Sequence, residues 1–186
     1  MSQQFENRFH AEIRANDEGK LVGYAAVFNS PSHDLGGFTE MILPGAFDRT
    51  LQENPDVLAL VEHDTSRVLA RTLNGTLRLY PDERGLRVEM DPANTSYARD
   101  IVELVRRGDV AGMSFRFKPY PGGAKMDLST SPATRTLSAV RLREVSVVVD
   151  PAYPSSEVSV RALEAEKNAL TRDALRRMRL QLAQIN

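Results

Sequence analysis

The chain has 186 residues, a formal net charge of -1 and no cysteine, which is the length of one domain with room for an appendage. The missing cysteine excludes disulfides, thiolate metal sites and a cysteine nucleophile, and three histidines nearly exclude a histidine-rich metal site. The near-neutral charge predicts no nucleic-acid or membrane partner. No apolar run is long enough to cross a membrane, and the N-terminus does not show the basic segment followed by an apolar segment that is typical of a signal peptide.

Strands separated by turns are predicted for the first part of the chain. Lys20 to Phe28 is an apolar, strand-like run, and residues 29–37 form a polar loop rich in turn residues. Residues 44–51 begin with Pro-Gly, which is typical of a short helix with proline in its first turn. Asp56 to His63 is predicted as a second strand, because apolar side chains dominate it.

The middle of the chain contains a predicted hairpin and the clearest helix of this part. Residues 76–80 and 85–90 are predicted strands, and the four residues between them are predicted to form the turn. Tyr97 to Arg107 has apolar residues at helical spacing, and Gly108 is a suitable C-cap. We expect an α+β fold, mainly β, in which an antiparallel sheet curls or closes on itself.

Two further strands and a loop are predicted before the C-terminal segment. Val110 to Phe117 is a strand, residues 119–132 form a polar loop with several Gly and Pro residues, and Thr134 to Val149 is one long strand. The Asp-Pro pair that follows Val149 ends it.

A helix of about 24 residues is predicted at the C-terminus, because residues 162–185 contain no Gly or Pro and are rich in helix formers. Leu175, Met178, Leu182 and Ile185 form a short stripe with coiled-coil spacing. The helix either packs on its own domain or serves oligomerisation or assembly. We therefore divide the chain into a domain of residues 1–160 and a helical extension of residues 161–186.

His63 is the first candidate site residue. Alternation along the strand places His63 at the end of the apolar row of Val57, Ala59 and Val61. A histidine at a strand end can be half-buried and still exchange protons with solvent. The alternative is a structural histidine that is hydrogen-bonded to the following turn.

Ser114 and Glu144 are the other two candidates. Ser114 lies on the smaller, more polar face of its strand beside Gly112, which leaves room for a ligand. Alternation places Glu144 on a largely apolar face with Leu142, where a carboxylate needs a partner. A histidine is one such partner and a nearby arginine is the other. Ser114, His63 and Glu144 together form a coherent triad proposal, and no cofactor motif accompanies them.

Several sequence blocks resemble one known family. They are Gly23-Tyr24-Ala25-Ala26-Val27-Phe28, Pro44-Gly45-Ala46-Phe47, Val61-Glu62-His63-Asp64, Gly85-Leu86-Arg87-Val88, Arg107-Gly108-Asp109-Val110-Ala111-Gly112-Met113-Ser114-Phe115-Arg116-Phe117, Leu142-Arg143-Glu144-Val145-Ser146 and Asp150-Pro151-Ala152-Tyr153. In this order, from about residue 20 to residue 160, they are similar to the HK97-type phage prohead serine proteases.

The resemblance implies a serine endopeptidase that acts inside the immature phage capsid in the bacterial host cytoplasm. It implies cleavage of scaffold, or of the scaffolding segment of the major capsid protein, and of the protease itself. The implied fold is a closed β-barrel with surrounding helices, similar to the herpesvirus assembly proteases, which dimerise. Matched by position, the nucleophile is Ser114, the base is His63 and the acidic member is Glu144. Glu62 stands where the family commonly has Asn.

Two other functions remain open. The chain could keep the protease fold as an inactive capsid assembly or scaffold-binding protein, which the C-terminal helix would suit. It could also be a small-molecule hydrolase, for which we would expect a deep pocket and not an open groove.

Overall fold

The computed structural model describes residues 6–10, 13–53 and 56–149. Within these residues the chain forms twelve strands, two α-helices and a short 3-10 turn. The strands in chain order are β1 Glu6–His10, β2 Ile13–Ala15, β3 Leu21–Val27, β4 Phe38–Ile42, β5 Leu58–Val61, β6 Asp64–Arg71, β7 Leu77–Pro81, β8 Gly85–Met90, β9 Gly112–Pro119, β10 Ala124–Asp127, β11 Ala133–Leu137 and β12 Val140–Val148. The helices are α1 Asp48–Gln52 and α2 Ser96–Arg107, and the 3-10 turn is Thr72–Asn74.

The described strands form three sheets. Their orders are β1-β9-β12-β5-β6, β10-β11-β4 and β2-β3-β8-β7. The expectation of a mainly β fold is confirmed, but the closed antiparallel barrel is not found among the described residues. The pairs β12–β5 and β11–β4 are parallel.

The reason for this difference lies at residues 138–139. The sequence predicted a single strand from Thr134 to Val149, but the chain leaves the strand ladder after Leu137 and re-enters one at Val140. The first half, β11, joins the three-stranded sheet and the second half, β12, joins the five-stranded sheet. Because residues 134–149 are divided between two sheets, they do not form the single long strand that we expected in a closed barrel.

One face of the five-stranded sheet is the main part of the core. Residues of β9 and β12 that pair across this face, such as Phe115 with Val145 and Met113 with Val147, are almost fully buried. Phe47, at the start of α1, contacts Phe115 edge to face with 5.7 Å between ring centroids. Because side chains alternate along a strand, the opposite face of this sheet carries the polar residues of β9 and β12.

The locally determined elements agree with the sequence. The β7–β8 hairpin forms as predicted, and a Cβ at Gly85 would lie 2.0 Å from the carbonyl oxygen of Ala26 on β3, so this close approach requires glycine. Helix α2 begins after Thr95, whose hydroxyl accepts from the Ala98 N–H at 3.3 Å. Gly108 ends it in the left-handed conformation with φ 84°.

Five strands were not predicted: β1, β2, β4, β6 and β10. Strand β6 begins with Asp64-Thr65-Ser66, which we expected to be a turn, and β10 lies inside the Gly- and Pro-containing segment that we expected to be a loop. These segments are polar at the exposed positions and gain their strand geometry from pairing with neighbours.

A buried network of four charged side chains connects β1 to the three-stranded sheet. Arg8 on β1 forms ion pairs with Glu6 at 2.7 Å and with Glu40 on β4. Arg135 on β11 binds Glu6 at 3.0 Å and Glu40 at 3.2 Å. All four side chains are 2–7 % exposed, so each charge depends on its partners and not on water.

Neither described helix has the length and apolar character needed to cross a bilayer. The predicted helix at residues 162–185 and the domain boundary at residue 160 lie outside the described residues.

Candidate active site

His63 lies in the tight turn between β5 and β6. Val61 pairs with Asp64, so Glu62 and His63 are the two residues of the turn, with φ 51° and 60°. Positive φ at both positions is what a two-residue hairpin of type I′ requires. The prediction that His63 continues the apolar row of Val61 is therefore wrong, because strand alternation ends where the turn begins.

Glu144 also lies on a different face from the one that we predicted. Leu142 pairs with Phe117, but Glu144 pairs with Arg116, the next residue along β9, so β12 has a bulge at Arg143. A bulge adds one residue to one strand and reverses which face the following side chains occupy. Leu142 consequently points into the core, and Glu144 points to the opposite, polar face.

The turn and the bulge bring His63 and Glu144 together. The Nδ1 atom of His63 is hydrogen-bonded to Oε1 of Glu144. The side chain of His63 is 14 % exposed and that of Glu144 is 3 % exposed. A carboxylate bound to Nδ1 keeps the proton of the neutral ring on that nitrogen and leaves Nε2 as the basic one.

Arg116 is the second partner of Glu144, so both of the partners that we considered are present. Its Nη1 atom lies 3.8 Å from Glu144 Oε2, and its Nε donates to Asn7 Oδ1 on β1 at 2.8 Å. The contact with His63 is the closer one. Arg116 is one-third exposed and contributes positive charge at the rim of the site.

Ser114 on β9 lies on the same face of the sheet as Glu144, and its Cα is paired with that of Ser146 on β12. Its side chain is fully buried, and its Oγ has no hydrogen-bond partner among the described residues. Side chains of directly opposed residues lie on the same face with their Cβ atoms about 4.5–5.5 Å apart. Ser114 is therefore one cross-strand spacing from the hydroxyl that touches His63.

Ser146 is the site residue to which sequence reasoning assigned no role. Its Oγ lies 3.2 Å from His63 Nδ1 and 3.4 Å from Glu144 Oε1. The available signal was its position two residues after Glu144, because both residues follow the bulge and share a face.

Glu62 connects the turn to the end of β12 by two hydrogen bonds. Its backbone N–H donates to the Val147 carbonyl at 3.0 Å, and its side-chain Oε1 accepts from the Val149 N–H at 2.6 Å. The residue before His63 thus holds the turn against the strand that carries Glu144.

This cluster has the parts of a hydrolytic site. It contains a partly buried imidazole with its tautomer fixed by a carboxylate, and it also contains a neighbouring serine hydroxyl and an arginine. Within the part of the chain that the structure describes, no group of three His, Asp or Glu side chains is arranged to hold a metal ion.

The chain is similar to a known protein family and to a solved structure. A family model described as caudovirus prohead serine protease matches residues 9–170. The solved structure of the capsid assembly protease gp21 of bacteriophage T4 is similar with a TM-score of 0.52 and 9% sequence identity, covering 77% of this chain and 98% of that chain. At this identity the likeness is one of fold. No curated protein sequence matches the chain.

Proposed function

The chain belongs to the caudovirus prohead serine protease family, and we propose that Ser114, His63 and Glu144 are the residues with which it cleaves peptide bonds. Ser114 is the nucleophile, His63 is the general base and acid, and Glu144 orients the imidazole. The contact between His63 Nδ1 and Glu144, on the sheet face that also carries Ser114, is the observation that supports this assignment.

In the first half of the reaction, Ser114 Oγ bonds to the scissile carbonyl carbon while its proton moves to His63 Nε2. Glu144 stabilises the resulting imidazolium through Nδ1. The tetrahedral intermediate then breaks its carbon–nitrogen bond, and His63 gives the proton to the leaving amine. The products of this half are the new N-terminus and an ester on Ser114.

In the second half, water attacks the ester carbon and gives a proton to His63. The bond between this carbon and Ser114 Oγ then breaks, and the proton returns to the serine. Ser114 is fully buried, and catalytic hydrogen bonds commonly tighten only when substrate binds. Substrate entry therefore has to open the face of the sheet around Ser114.

The substrates that we propose are phage assembly proteins: scaffold, or the scaffolding segment of the major capsid protein, and the protease chain itself. Cleavage would take place inside the immature prohead in the cytoplasm of the bacterial host. Family membership and the fold shared with a capsid assembly protease support this proposal. We expect the chain to form a homo-oligomer, such as a dimer.

Co-expression with the capsid protein tests the proposal. The wild-type chain should convert the capsid protein into shorter products of defined mass, and Ser114→Ala should leave it intact. Ser138→Ala, which changes an exposed serine on the loop between β11 and β12, is the control and should cleave like the wild type. Processing by folded Ser114→Ala would refute the assignment of the nucleophile.

The alternative is an inactive assembly protein that keeps the protease fold. It predicts that wild type and Ser114→Ala bind capsid or scaffold protein equally and that neither shortens it. The close His63–Glu144 pair disfavours this alternative, because a binding protein has no need for a buried carboxylate on an imidazole.

A further inference from the structure

Within the described part of the chain, the Ser146 hydroxyl has two hydrogen-bond partners, and both belong to the proposed catalytic group. Its Oγ lies 3.2 Å from Nδ1 of His63 and 3.4 Å from Oε1 of Glu144, and its side chain is fully buried. A buried hydroxyl that only filled space would be costly without such partners. Its position therefore ties it to the state of the histidine and the carboxylate.

The direction of the hydrogen bonds follows from what each atom can donate. An ionised carboxylate only accepts, so the hydroxyl proton of Ser146 is directed to Glu144 Oε1. The same oxygen keeps lone pairs that face the Nδ1 proton of His63. Ser146, His63 and Glu144 thus contact one another, and Oε1 accepts hydrogen bonds from both Ser146 and His63.

From this geometry we infer that Ser146 is a positioning residue, which holds the Glu144 carboxylate and the His63 ring in the orientation that catalysis requires. The inference rests on the proposed function and extends it to a fourth side chain. The bulge at Arg143 makes this role possible, since it places Glu144 and Ser146 together on the polar face.

The same geometry argues against Ser146 as the nucleophile. It contacts Nδ1, the nitrogen that carries the proton when Glu144 accepts from it. A protonated nitrogen cannot take the proton of an attacking hydroxyl. Ser114, which is directly opposite on β9 and has no hydrogen-bond partner among the described residues, is free of this restriction.

Kinetics with a peptide taken from the cleaved capsid junction give the first test. A hydrogen bond to a charged group corresponds to about a 10- to 100-fold change in rate, so Ser146→Ala should lower kcat by about that factor. KM should stay close to the wild-type value, because the hydroxyl of Ser146 is buried and is hydrogen-bonded within the proposed catalytic group. Ser146→Thr keeps the hydroxyl and should recover most of the lost kcat.

Thr50→Val is the matched control. Thr50 on α1 is also a fully buried hydroxyl residue that contacts β12: its Oγ1 accepts from the Leu142 N–H at 3.2 Å, and this hydrogen bond does not involve His63. Its loss should lower stability and leave kcat unchanged. Equal loss of kcat in Ser146→Ala and Thr50→Val would show a general packing effect and overturn the inference.

NMR of the full chain with ¹⁵N-labelled histidine gives a readout that a purely structural role would not move. The Nδ1 proton signal of His63 should be strongly deshielded in the wild type and in Thr50→Val. In Ser146→Ala it should shift or broaden, because Oε1 of Glu144 has lost one of its two donors. An unchanged signal together with unchanged kcat would refute the positioning role.

Labelling with a serine-directed fluorophosphonate separates this inference from the proposed function. The adduct should map to Ser114 in the wild type and, more slowly, in Ser146→Ala. An adduct on Ser146 would overturn both assignments. An adduct on Ser114 with fully active Ser146→Ala would overturn only the inference.

Discussion

Ser114 and Ser146 face each other across the antiparallel pair of β9 and β12. One of the two hydroxyls touches His63 and Glu144, and the other has no hydrogen-bond partner among the described residues. An unsatisfied buried hydroxyl costs about 1–3 kcal/mol, and such groups in native proteins commonly have a functional explanation. The pairing thus separates a supporting serine from the serine that we propose to react.

The negative charge of Glu144 should matter more for activity than its shape does. Glu144→Gln keeps the size of the side chain but cannot balance an imidazolium, so kcat should fall by about 10²–10⁴-fold. Glu103→Gln, on the exposed side of α2, is the matched control and should retain wild-type kcat. Peptide cleavage assays of both purified variants measure this, and full activity of Glu144→Gln would assign the third role to another residue.

The turn residue Glu62 should be sensitive to the shape of its replacement. Its φ of 51° strains a β-branched side chain, and its carboxylate also accepts from the Val149 N–H at 2.6 Å. Glu62→Val should therefore lower the free energy of unfolding by about 1–3 kcal/mol, and it should lower activity because His63 shares the turn. Glu62→Asn tolerates positive φ and should lose less.

Urea denaturation of both variants, followed by circular dichroism, measures this difference. If Val and Asn at this position gave proteins of equal stability, the left-handed backbone would not be the controlling feature. In that case the loss of the hydrogen bond to Val149, which both variants share, would account for the whole effect.

The sequence predicts those parts of the fold that local signals determine. The β7–β8 hairpin has a recognisable turn, and α2 has an apolar face, a capping threonine and a terminal glycine. Strands such as β4 and β10 lack comparable signals, since they are short and gain their geometry from β11 between them. A single sequence does not reveal which distant segment will supply such a partner.

The sequence named the candidate site residues but misplaced two of them in the fold. Strand alternation placed His63 and Glu144 on apolar faces, and both placements were wrong. The two-residue turn ends the alternation before His63, and the one-residue bulge reverses it before Glu144. Both features depend on pairing with another strand. Resemblance to the protease family pointed to these residues despite the wrong faces.

The buried charges around Glu6 should make stability depend on pH. Burial raises the pKa of this carboxyl, but the hydrogen bond from Arg135 and the charge of Arg8 outweigh it and hold the pKa below the ordinary value of 4.5. A carboxyl with a lowered folded-state pKa stabilises the protein fully above its unfolded pKa. The contribution is lost as the pH falls through the folded-state value, because the folded protein must then accept the proton.

Glu6→Gln should therefore cost most stability near neutral pH and progressively less in acid. Removing one partner of a buried ion pair costs about 3–5 kcal/mol, whereas Glu18→Gln breaks only the exposed pair with Lys20 and should cost far less. Urea unfolding of the three proteins between pH 7 and acid measures the free-energy differences. The gap between wild type and Glu6→Gln should begin to narrow as the pH falls below the ordinary carboxyl pKa, and it should be smallest below the lowered folded-state pKa, where both side chains are neutral. A gap that stayed constant with pH would assign the role of Glu6 to packing and not to its charge.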